Sequence, residues 1–527
     1  MTRGGMRPPA TAALVLGIVA AAVFVRFWRI HWALDDRLFF PDEIFWYLRV
    51  AQFVPLTWAS FDVDFTHNYP TLFGYFAGLT TAAAHAAGQI RTGPDGVFDA
   101  IFVARAVSAA IGVVDVGLVG LLGWRCFSAP VGLLAAAFMA VLPFEAVEVH
   151  YASVDSLLTA CFTLTLLLGH ALAIRGGLAR ALLGGACVGL AFATKYNGLG
   201  ALGAFVVPLL ARMRRGDGWV PAMVLAAAVV VGVGVGIVAG CPPCVLRPPD
   251  LFTALRAHAE LTAGGDFLNA RLVPSLGWVG TPYVYELVAA LPFVLGWPLW
   301  LLALAGVAVA LWRRSLADGV LLVGIATYFV AIGASPLMYP RYLLPLAPGL
   351  LVLAARAGVM LARRSAAGLA VVGAVWLYTF VLTASHVSSA SLAQQKAVAA
   401  WIAAQPEMRP GTRIATPRPW AEYFMLTPFL ARAGLEPVVV VEGDWLGRAA
   451  DVLVVPDLLA IGARRDHPDG AAARDLVRLE SGDGGFHEAA RWPMEYLHQR
   501  LYAWLDPGLS PVLGACGFTV YVRDRAR

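Results

Sequence analysis

Charged side chains are scarce in this sequence of 527 residues. Only 14% of its residues are Asp, Glu, Lys or Arg, whereas 59% are hydrophobic. A water-soluble protein could not cover so much apolar surface with so few charges. The composition therefore predicts a polytopic, all-α membrane protein. The formal net charge of +5 does not indicate a nucleic-acid partner. The basic residues cluster in short connections between apolar runs, where they orient a protein in the membrane.

Cysteine is also rare, and its six positions exclude a disulfide framework. Cys126, Cys161 and Cys187 lie in or beside apolar runs. Cys241 and Cys244 enclose two prolines at a predicted membrane edge. This spacing favours a prolyl turn with either a local disulfide or two free thiols. A redox or metal site is the weaker alternative, because no second Cys/His pair stands nearby at ligand spacing.

Long apolar runs are abundant, and about 20 apolar residues suffice to span a bilayer. No small-residue cleavage site precedes Arg26, so the first run is interpreted as an uncleaved spanning helix rather than a signal peptide. The sequence predicts eleven spans, at residues 10–29, 103–123, 131–149, 156–174, 181–194, 196–211, 220–240, 286–312, 316–333, 342–361 and 366–385.

The charges between the spans predict their orientation. If the N-terminus is cytoplasmic, Arg-rich connections fall inside, and the acidic connection with Glu145, Glu148 and Asp155 falls outside. This pattern holds only if residues 71–90 do not span, so they are predicted to form an interfacial or re-entrant helix. Residues 30–102 then make one long outer loop, and residues 241–285 make another. The predicted location is the plasma (inner) membrane.

The chain changes character after residue 386. Residues 387–527 are charged, polar and punctuated by Pro and Gly. An amphipathic helix is predicted at 394–404, and short buried strands are predicted at 413–416, 437–442, 451–455 and 519–523. We predict a transmembrane core at 1–386 and a small extracytoplasmic α/β domain at 387–527.

Carboxylates are expensive near a bilayer, so they tend to face water or a functional cavity. Asp42 and Glu43 stand together between the first span and an aromatic helix predicted at 44–54. They could be catalytic, or they could form a capping pair at that helix. Asp155, at the outer start of a later span, has the same two interpretations.

Two basic residues interrupt apolar sequence on the same side. Lys195, next to Tyr196, could reach the interface with its head group or could hold an anion. Arg341, next to Tyr342, could be an interface anchor or a phosphate ligand. His67, His150 and His258 lie on separate outer segments and show no metal-ligand spacing, so no metal site is predicted.

These groups converge under a single topology. The outer side collects the acids and bases Asp42, Glu43, His67, Arg105, Asp155, Lys195 and Arg341. Such a set suits a reaction with a phosphate leaving group. A phosphate departs without protonation, so one carboxylate base suffices, and cations stabilise the charge that develops.

The motifs resemble those of the C-type integral membrane glycosyltransferases. Within these, the chain looks most like the group with protein O-mannosyltransferases and lipid A aminoarabinose transferase (glycosyltransferase family 39). The similar segments are Pro41-Asp42-Glu43 with Tyr47, residues 67–72 as a degraded His-Pro-Pro-Leu motif, 105–108 with 123–127, 150–159, 189–196 and Arg341-Tyr342. Together they extend over nearly all of residues 1–385.

The resemblance implies a polyprenyl-phosphate-linked sugar donor, an outer-face site and inversion at the anomeric carbon. It implies Asp42 as base, with Glu43 and Asp155 in the catalytic site. It also implies Lys195 and Arg341 near the donor phosphate, and a substrate-binding set of Tyr196, Tyr342, His67, Arg105 and His150.

Two departures from the family pattern stand out. One proline of the motif at His67 is missing, and so is the basic residue before Asp155, for which His150 is the nearest substitute. The acceptor (protein, lipid or polysaccharide) is open, and so is any need for a divalent metal.

Two rival functions come from other classes. A transporter or flippase of lipid-linked saccharides predicts inverted repeats and charges in mid-membrane, and the sequence shows ionisable groups at one face instead. A binding or assembly protein would act mainly through residues 387–527.

Overall fold

The structure is a computed structural model that describes most of the chain. The described residues are 8–40, 42–62, 69–91, 95–214, 219–262, 282–333, 339–406, 408, 412–417, 425–440, 446, 450–466, 470–493, 497–498 and 517–524. The chain divides into two compact units. The first unit comprises Met1–Ile30, Asp42–Gly265 and Pro282–Ala384, and the second comprises His31–Pro41, Asp266–Thr281 and Ser385–Arg527. The predicted domain boundary after residue 386 stays a prediction.

The first unit is helical. Its α-helices are Pro8–Phe27, Glu43–Ala51, Leu72–Ala86, Gly96–Cys126, Ala129–Ala140, Pro143–Glu148, Asp155–Arg175, Leu178–Thr194, Val206–Arg212, Trp219–Gly240, Pro242–Leu246, Pro248–Thr262, Pro282–Tyr285, Leu291–Leu295, Trp297–Arg313, Leu316–Gly333, Ala347–Ala362 and Ala366–Ser388. Short 3₁₀ segments are Trp58–Phe61, Tyr196–Phe205 and Pro340–Leu346, and Glu286–Ala290 is a π-helical turn.

Six described helices are long and apolar enough to cross a membrane, or seven if one bent pair counts as a single span. The chain is therefore a multi-span membrane protein. Helix occurs at each of the eleven predicted places, but several of these helices are shorter than a span, and the number eleven stays a prediction. The helix Leu72–Ala86 within predicted segment 71–90 is not among the six.

Two predicted spans are broken. Residues 131–149 form two helices, because Leu142 adopts the extended backbone that a following proline favours, and Pro143 starts a new short helix. Residues 286–312 are bent by 117° at Gly296, whose φ of 82° only glycine adopts easily. The described part of the predicted loop 241–285 also contains three helices, and Cys241 and Cys244 form a disulfide.

Glycines bring two helices into backbone contact in the first unit. A Cβ added at Gly185 or Gly189 of Leu178–Thr194 would lie 2.0 or 2.2 Å from a backbone oxygen of Trp219–Gly240. Gly232 and Gly236 of Trp219–Gly240 make the reciprocal contacts. A Cβ added at either one would lie 2.2 Å from a backbone oxygen of Leu178–Thr194. Small residues of this kind let membrane helices pack closely without a hydrophobic driving force.

Ionisable groups are not confined to one face, contrary to the sequence-based interpretation. Asp115 lies in the middle of the helix Gly96–Cys126 and is buried. Arg26 and Glu145 form a buried ion pair, and Arg26 also donates to the carbonyl oxygens of Met139 and Ala140. A charge buried in this way needs such partners.

The second unit contains a five-stranded mixed sheet. Its strands are β1 (Arg413–Pro417), β2 (Glu436–Val440), β3 (Val452–Pro456), β4 (Phe486–Trp492) and β5 (Phe518–Arg523), in the order β2-β1-β3-β5-β4. β1 pairs in parallel with β2 and β3, while β5 pairs antiparallel with β3 and β4.

Helices Ala393–Ala404, Leu426–Arg432, Asp457–Asp466 and Ala471–Ser481 accompany the sheet, together with a 3₁₀ turn at Leu34–Asp36. The predicted helix at 394–404 and the strands predicted at 413–416, 451–455 and 519–523 occur, and β4 is an addition. The strand predicted at 437–442 occurs as far as Val440, and residues 441 and 442 lie outside the described residues.

Candidate active site

Asp42 stands at the start of the helix Glu43–Ala51 without serving as its cap. Its side chain makes no capping hydrogen bond to that helix, and 43% of it is exposed. One carboxylate oxygen lies 3.5 Å from an Nη atom of Arg341. A carboxylate free of a capping role and open to solvent can accept a proton, which a true cap with fixed hydrogen bonds does less readily.

Arg341 reaches this place from the 3₁₀ segment Pro340–Leu346. Its guanidinium lies 5.0 Å from the ring centre of Tyr339, and 24% of the side chain is exposed. Its Nε makes no hydrogen bond within the described part of the chain. The planar guanidinium has five N–H donors, so Arg341 retains donors for an oxyanion while it contacts Asp42.

Asp155 and Lys195 form a buried ion pair behind these two residues. The Nζ of Lys195 donates to a carboxylate oxygen of Asp155 at 2.8 Å, and both side chains are almost wholly buried. The ammonium also lies 4.3 Å from the ring centre of Tyr342 and 5.2 Å from that of Tyr69. Lys195 is therefore neither an interface anchor nor a freely available cation.

The backbone explains how Lys195 comes to point inward. The helix Leu178–Thr194 ends there, because Lys195 is extended (φ −156°, ψ 135°) and a 3₁₀ segment starts at Tyr196. Gly198 then passes against the helix that has just ended, where an added Cβ would lie 2.3 Å from the carbonyl carbon of Ala191. The turn is therefore tight enough to hold the lysine under Tyr342.

Glu148 and Ser153 add a second carboxylate next to Asp155. The hydroxyl of Ser153 lies 3.0 Å from Asp155 and 3.3 Å from Glu148, and its single proton can be donated to only one of them at a time. Burial, and then the negative charge of Asp155, raise the pKa of Glu148 to about 7. Arg341 and Lys195 oppose this shift. Glu148 can thus gain or lose a proton near neutral pH.

Tyr69 closes the group on one side. Burial raises the pKa of its phenol to about 12, although Arg341 acts against the shift. The phenol is therefore neutral and can donate a hydrogen bond. Its ring stacks in parallel with Trp46 at 6.2 Å between ring centres.

Tyr196 lies beside this cluster and is buried in the same hydrophobic core as Trp46. Its ring contacts His258 at 5.7 Å between centres. Burial and the nearby charge of Lys195 lower the pKa of His258, so this imidazole is neutral at physiological pH.

Glu43, Arg105 and His150 are placed apart from this cluster. Arg105 donates through Nε and Nη2 to the two carboxylate oxygens of Glu43, each at 2.7 Å, and both side chains are buried. Arg105 also donates to the carbonyl oxygen of Ile30 at 2.9 Å, and Glu43 accepts from the backbone N–H of Ala152 at 3.0 Å. Such a bidentate buried pair ties three segments together.

His150 has an equally enclosed position. Its ring nitrogens face the carbonyl oxygens of Ala146 and Trp28, and burial lowers its pKa to about 4. This geometry indicates a structural role for a neutral imidazole. His67 lies outside the described residues.

Sequence reasoning missed Glu148, Ser153 and Tyr69 as members of the site. The sequence showed Glu148 only as one of three acids in a short connection, and Tyr69 only as a departure from a motif. No group of three or more His, Cys, Asp or Glu side chains converges as a metal site in the described ranges.

The comparisons with known proteins concern part of this site. Residues 97–236 match a family model described as dolichyl-phosphate-mannose-protein mannosyltransferase. A search of curated proteins finds no match.

Among solved structures, the chain is similar to ArnT from Cupriavidus metallidurans bound to undecaprenyl phosphate. The identity is 16% and the TM-score 0.47, with 97% of this chain and 98% of that one covered. It is also similar to the Archaeoglobus fulgidus oligosaccharyltransferase tethered with an acceptor peptide. There the identity is 13% and the TM-score 0.48, with 89% of this chain and 72% of that one covered.

The matched segment contains Arg105, Asp155 and Lys195, and thus three of the residues on which the motif resemblance depends. The resemblance to the protein O-mannosyltransferase group, drawn from the motifs, is confirmed over residues 97–236.

Proposed function

We propose that this protein transfers a sugar from a polyprenyl-phosphate carrier to an acceptor hydroxyl. The observation that carries the proposal is the pairing of Asp42 with Arg341. A partly exposed carboxylate without a capping role lies 3.5 Å from a guanidinium that has donors to spare. One group can take a proton while the other binds a phosphate.

The reaction is a single displacement. The acceptor oxygen attacks C1 of the sugar, and its proton passes to the carboxylate of Asp42. The bond between C1 and the phosphate oxygen breaks, and the phosphate leaves with the electron pair. Arg341 stabilises the charge on the leaving phosphate. One displacement at C1 inverts the anomeric configuration, and the phosphate needs no general acid.

Lys195 acts indirectly in this proposal, through the residues that surround its ammonium group. Asp155 balances its charge, and the rings of Tyr69 and Tyr342 enclose its ammonium. The pair therefore adds little net charge at the phosphate, and its role is to hold the rings of Tyr69 and Tyr342 in place.

The site would face the outer side of the plasma membrane, with the N-terminus cytoplasmic and residues 387–527 as an extracytoplasmic α/β domain. The family model's printed substrate, a dolichyl-phosphate-linked mannose, and the undecaprenyl phosphate bound to ArnT support the carrier class. The acceptor would be a protein, lipid or polysaccharide at that surface.

Consumption of lipid-linked sugar tests the proposal. Membranes with the wild type or Asp42→Asn would receive a panel of polyprenyl-phosphate sugars and a membrane extract as acceptor source. The wild type should consume one donor, and the variant should be slower by about 10²–10⁴-fold, the usual contribution of a general base. Asp62→Asn is the matched control, because Asp62 also pairs with an arginine (Arg247, 3.0 Å) but is 70% exposed.

Equal consumption by wild type and Asp42→Asn would contradict the role of Asp42. The configuration of the product at C1 provides a second readout, since a retained configuration would contradict a single displacement.

One observation favours a transporter as the alternative. Asp115 is buried in the middle of a candidate span, and neither of its oxygens makes a hydrogen bond of ordinary geometry among the described residues, although Thr163 lies beside it. An ionisable group within a membrane span often marks a transport pathway. A labelled lipid-linked saccharide in proteoliposomes would decide the matter. Movement without consumption, lost in Asp115→Asn, would favour transport.

A further inference from the structure

A second polar feature lies near the ion pair of Asp155 and Lys195, and the reaction above does not use it. Glu286 opens the π-helical turn Glu286–Ala290 and is 1% exposed. Turns of this type are rare and frequently occur at functional sites. A carboxyl group here, at the start of an apolar helix, requires a physical explanation.

Two buried polar atoms are left without partners at this place. Neither Oε2 of Glu286 nor the phenol oxygen of Tyr328 makes a hydrogen bond to any residue that the structure describes. Tyr328 is fully buried, and its ring packs edge-on against Phe162 at 5.3 Å between centres. Each such atom destabilises the fold if nothing pairs with it, because it has given up its hydrogen bonds to water. Two of them in the same region indicate a ligand that supplies the missing partners.

Tyr328 interacts both with Glu286 and with the site already described. Its phenol interacts electrostatically with Asp155 and Tyr342 of that site and with Glu286. Glu286 is also in contact with the helix Leu316–Gly333. A Cβ added at Gly333 would lie 2.8 Å from its Oε2, so only glycine leaves room for the carboxyl group there.

The surroundings of Glu286 indicate the chemistry of that ligand. No basic side chain of the described residues contributes to its electrostatic environment. A buried carboxyl group without a cation favours its neutral form, because burying an unpaired charge is costly. A neutral carboxyl group and a phenol both donate and accept hydrogen bonds, as a sugar hydroxyl does.

We propose that Glu286 and Tyr328 bind hydroxyl groups of the donor's sugar and determine which sugar is transferred. This assignment rests on the proposed function, since it deepens the description of the same site. Buried groups built to pair with a hydroxyl reject an analogue that lacks it, because they are then left unpaired.

The experiment uses purified full-length protein with polyprenyl-phosphate mannose and its monodeoxy and amino analogues. The variants are Glu286→Leu, Glu286→Gln and Tyr328→Phe, the last of which removes one oxygen and keeps the ring. Glu260→Gln is the matched control, because Glu260 is an exposed acid paired with Arg256. The readouts are kcat/KM for each donor and the binding of polyprenyl phosphate without a sugar.

Glu286→Leu and Tyr328→Phe should lower kcat/KM for the complete sugar by about 10–100-fold. They should lose no further activity on the one analogue that lacks the hydroxyl concerned. Glu286→Gln should stay within about threefold of the wild type, since an amide also donates and accepts. Binding of the sugar-free lipid should not change in any variant.

Three outcomes would overturn the assignment. Unchanged discrimination among the deoxy donors in both Glu286→Leu and Tyr328→Phe would do so, as would an equal loss of sugar-free lipid binding, which would indicate structural damage. The third is a wild type that prefers the amino sugar, with a preference that Glu286→Gln abolishes. Glu286 would then bind an ammonium group of the sugar and not a hydroxyl group. The proposed function survives all three, whereas a wild type that consumes none of the donors would overturn both proposals together.

Discussion

Substitution of Glu43 should lower the stability of the protein, whereas substitution of the adjacent Asp42 should leave stability nearly unchanged. Glu43 gives the sharper test. In Glu43→Gln, the guanidinium of Arg105 loses its charged partner while it stays fully buried. Removing one member of such a pair costs about 3–5 kcal/mol, mainly because the other charge remains buried. We expect a loss of this size in the free energy of unfolding, measured by reversible SDS denaturation.

Two further variants show that the pair, and not the position, is responsible. Asp42→Asn should change the free energy of unfolding by less than about 1 kcal/mol, because partly exposed ion pairs contribute little. A double variant, Glu43→Leu with Arg105→Met, should recover most of the loss, since apolar pairs of similar size often replace buried ion pairs without cost. The N–H of Ala152 would lose its acceptor, so we expect recovery to within about 1–3 kcal/mol of the wild type. A Glu43→Gln protein as stable as the wild type would refute the reasoning.

The other two predictions concern the buried groups around Asp155. Asp155→Leu with Lys195→Met should retain stability in the same denaturation assay, since apolar pairs often replace buried ion pairs without cost. It should lose transfer by at least about 100-fold, because the ammonium no longer holds the rings of Tyr69 and Tyr342 in place. Full transfer activity would refute the supporting role of the pair. Glu148 has a pKa of about 7 in the fold, above its ordinary value of 4.5, so the unfolded chain binds fewer protons between these values. Stability should therefore fall as the pH rises from about 4.5 to 7, and Glu148→Gln should remove this dependence. Parallel pH profiles of wild type and variant would contradict the assignment.

The helices were predictable from sequence because long apolar runs dominate the chain. Their interruptions were not. Pro143 and Gly296 act locally, within stretches whose composition is as apolar as that of an unbroken span. A hydropathy average over about 20 residues hardly changes with one proline or glycine, whereas the backbone can break or bend at that single residue. The strands of the second unit were predictable because short buried runs alternate with turn residues, but β4 has a mixed pattern of exposure that conceals it.

The site shows a different limit. Sequence alone could not separate Asp42 from Glu43, because neighbouring residues on a helix point about 100° apart and only the packing decides which faces a buried arginine. Glu148 and Tyr69 entered the site through the fold, since neither has a motif of its own. Glu286 was recognisable in the sequence as an acid at the start of a predicted span. Only the structure shows that its side chain is buried, which is what makes it a candidate binding group.

The glycine contacts between Leu178–Thr194 and Trp219–Gly240 have a consequence for how this protein could change over time. Lys195 directly follows the helix Leu178–Thr194. Its position is therefore determined by the backbone contacts that this helix makes along its length with Trp219–Gly240. Side chains can be exchanged one at a time, but a fit between two backbones cannot be adjusted by any single replacement. The ammonium group under Tyr342 is therefore anchored in a part of the molecule with little freedom to drift, whereas the surfaces that meet the acceptor can diversify around it.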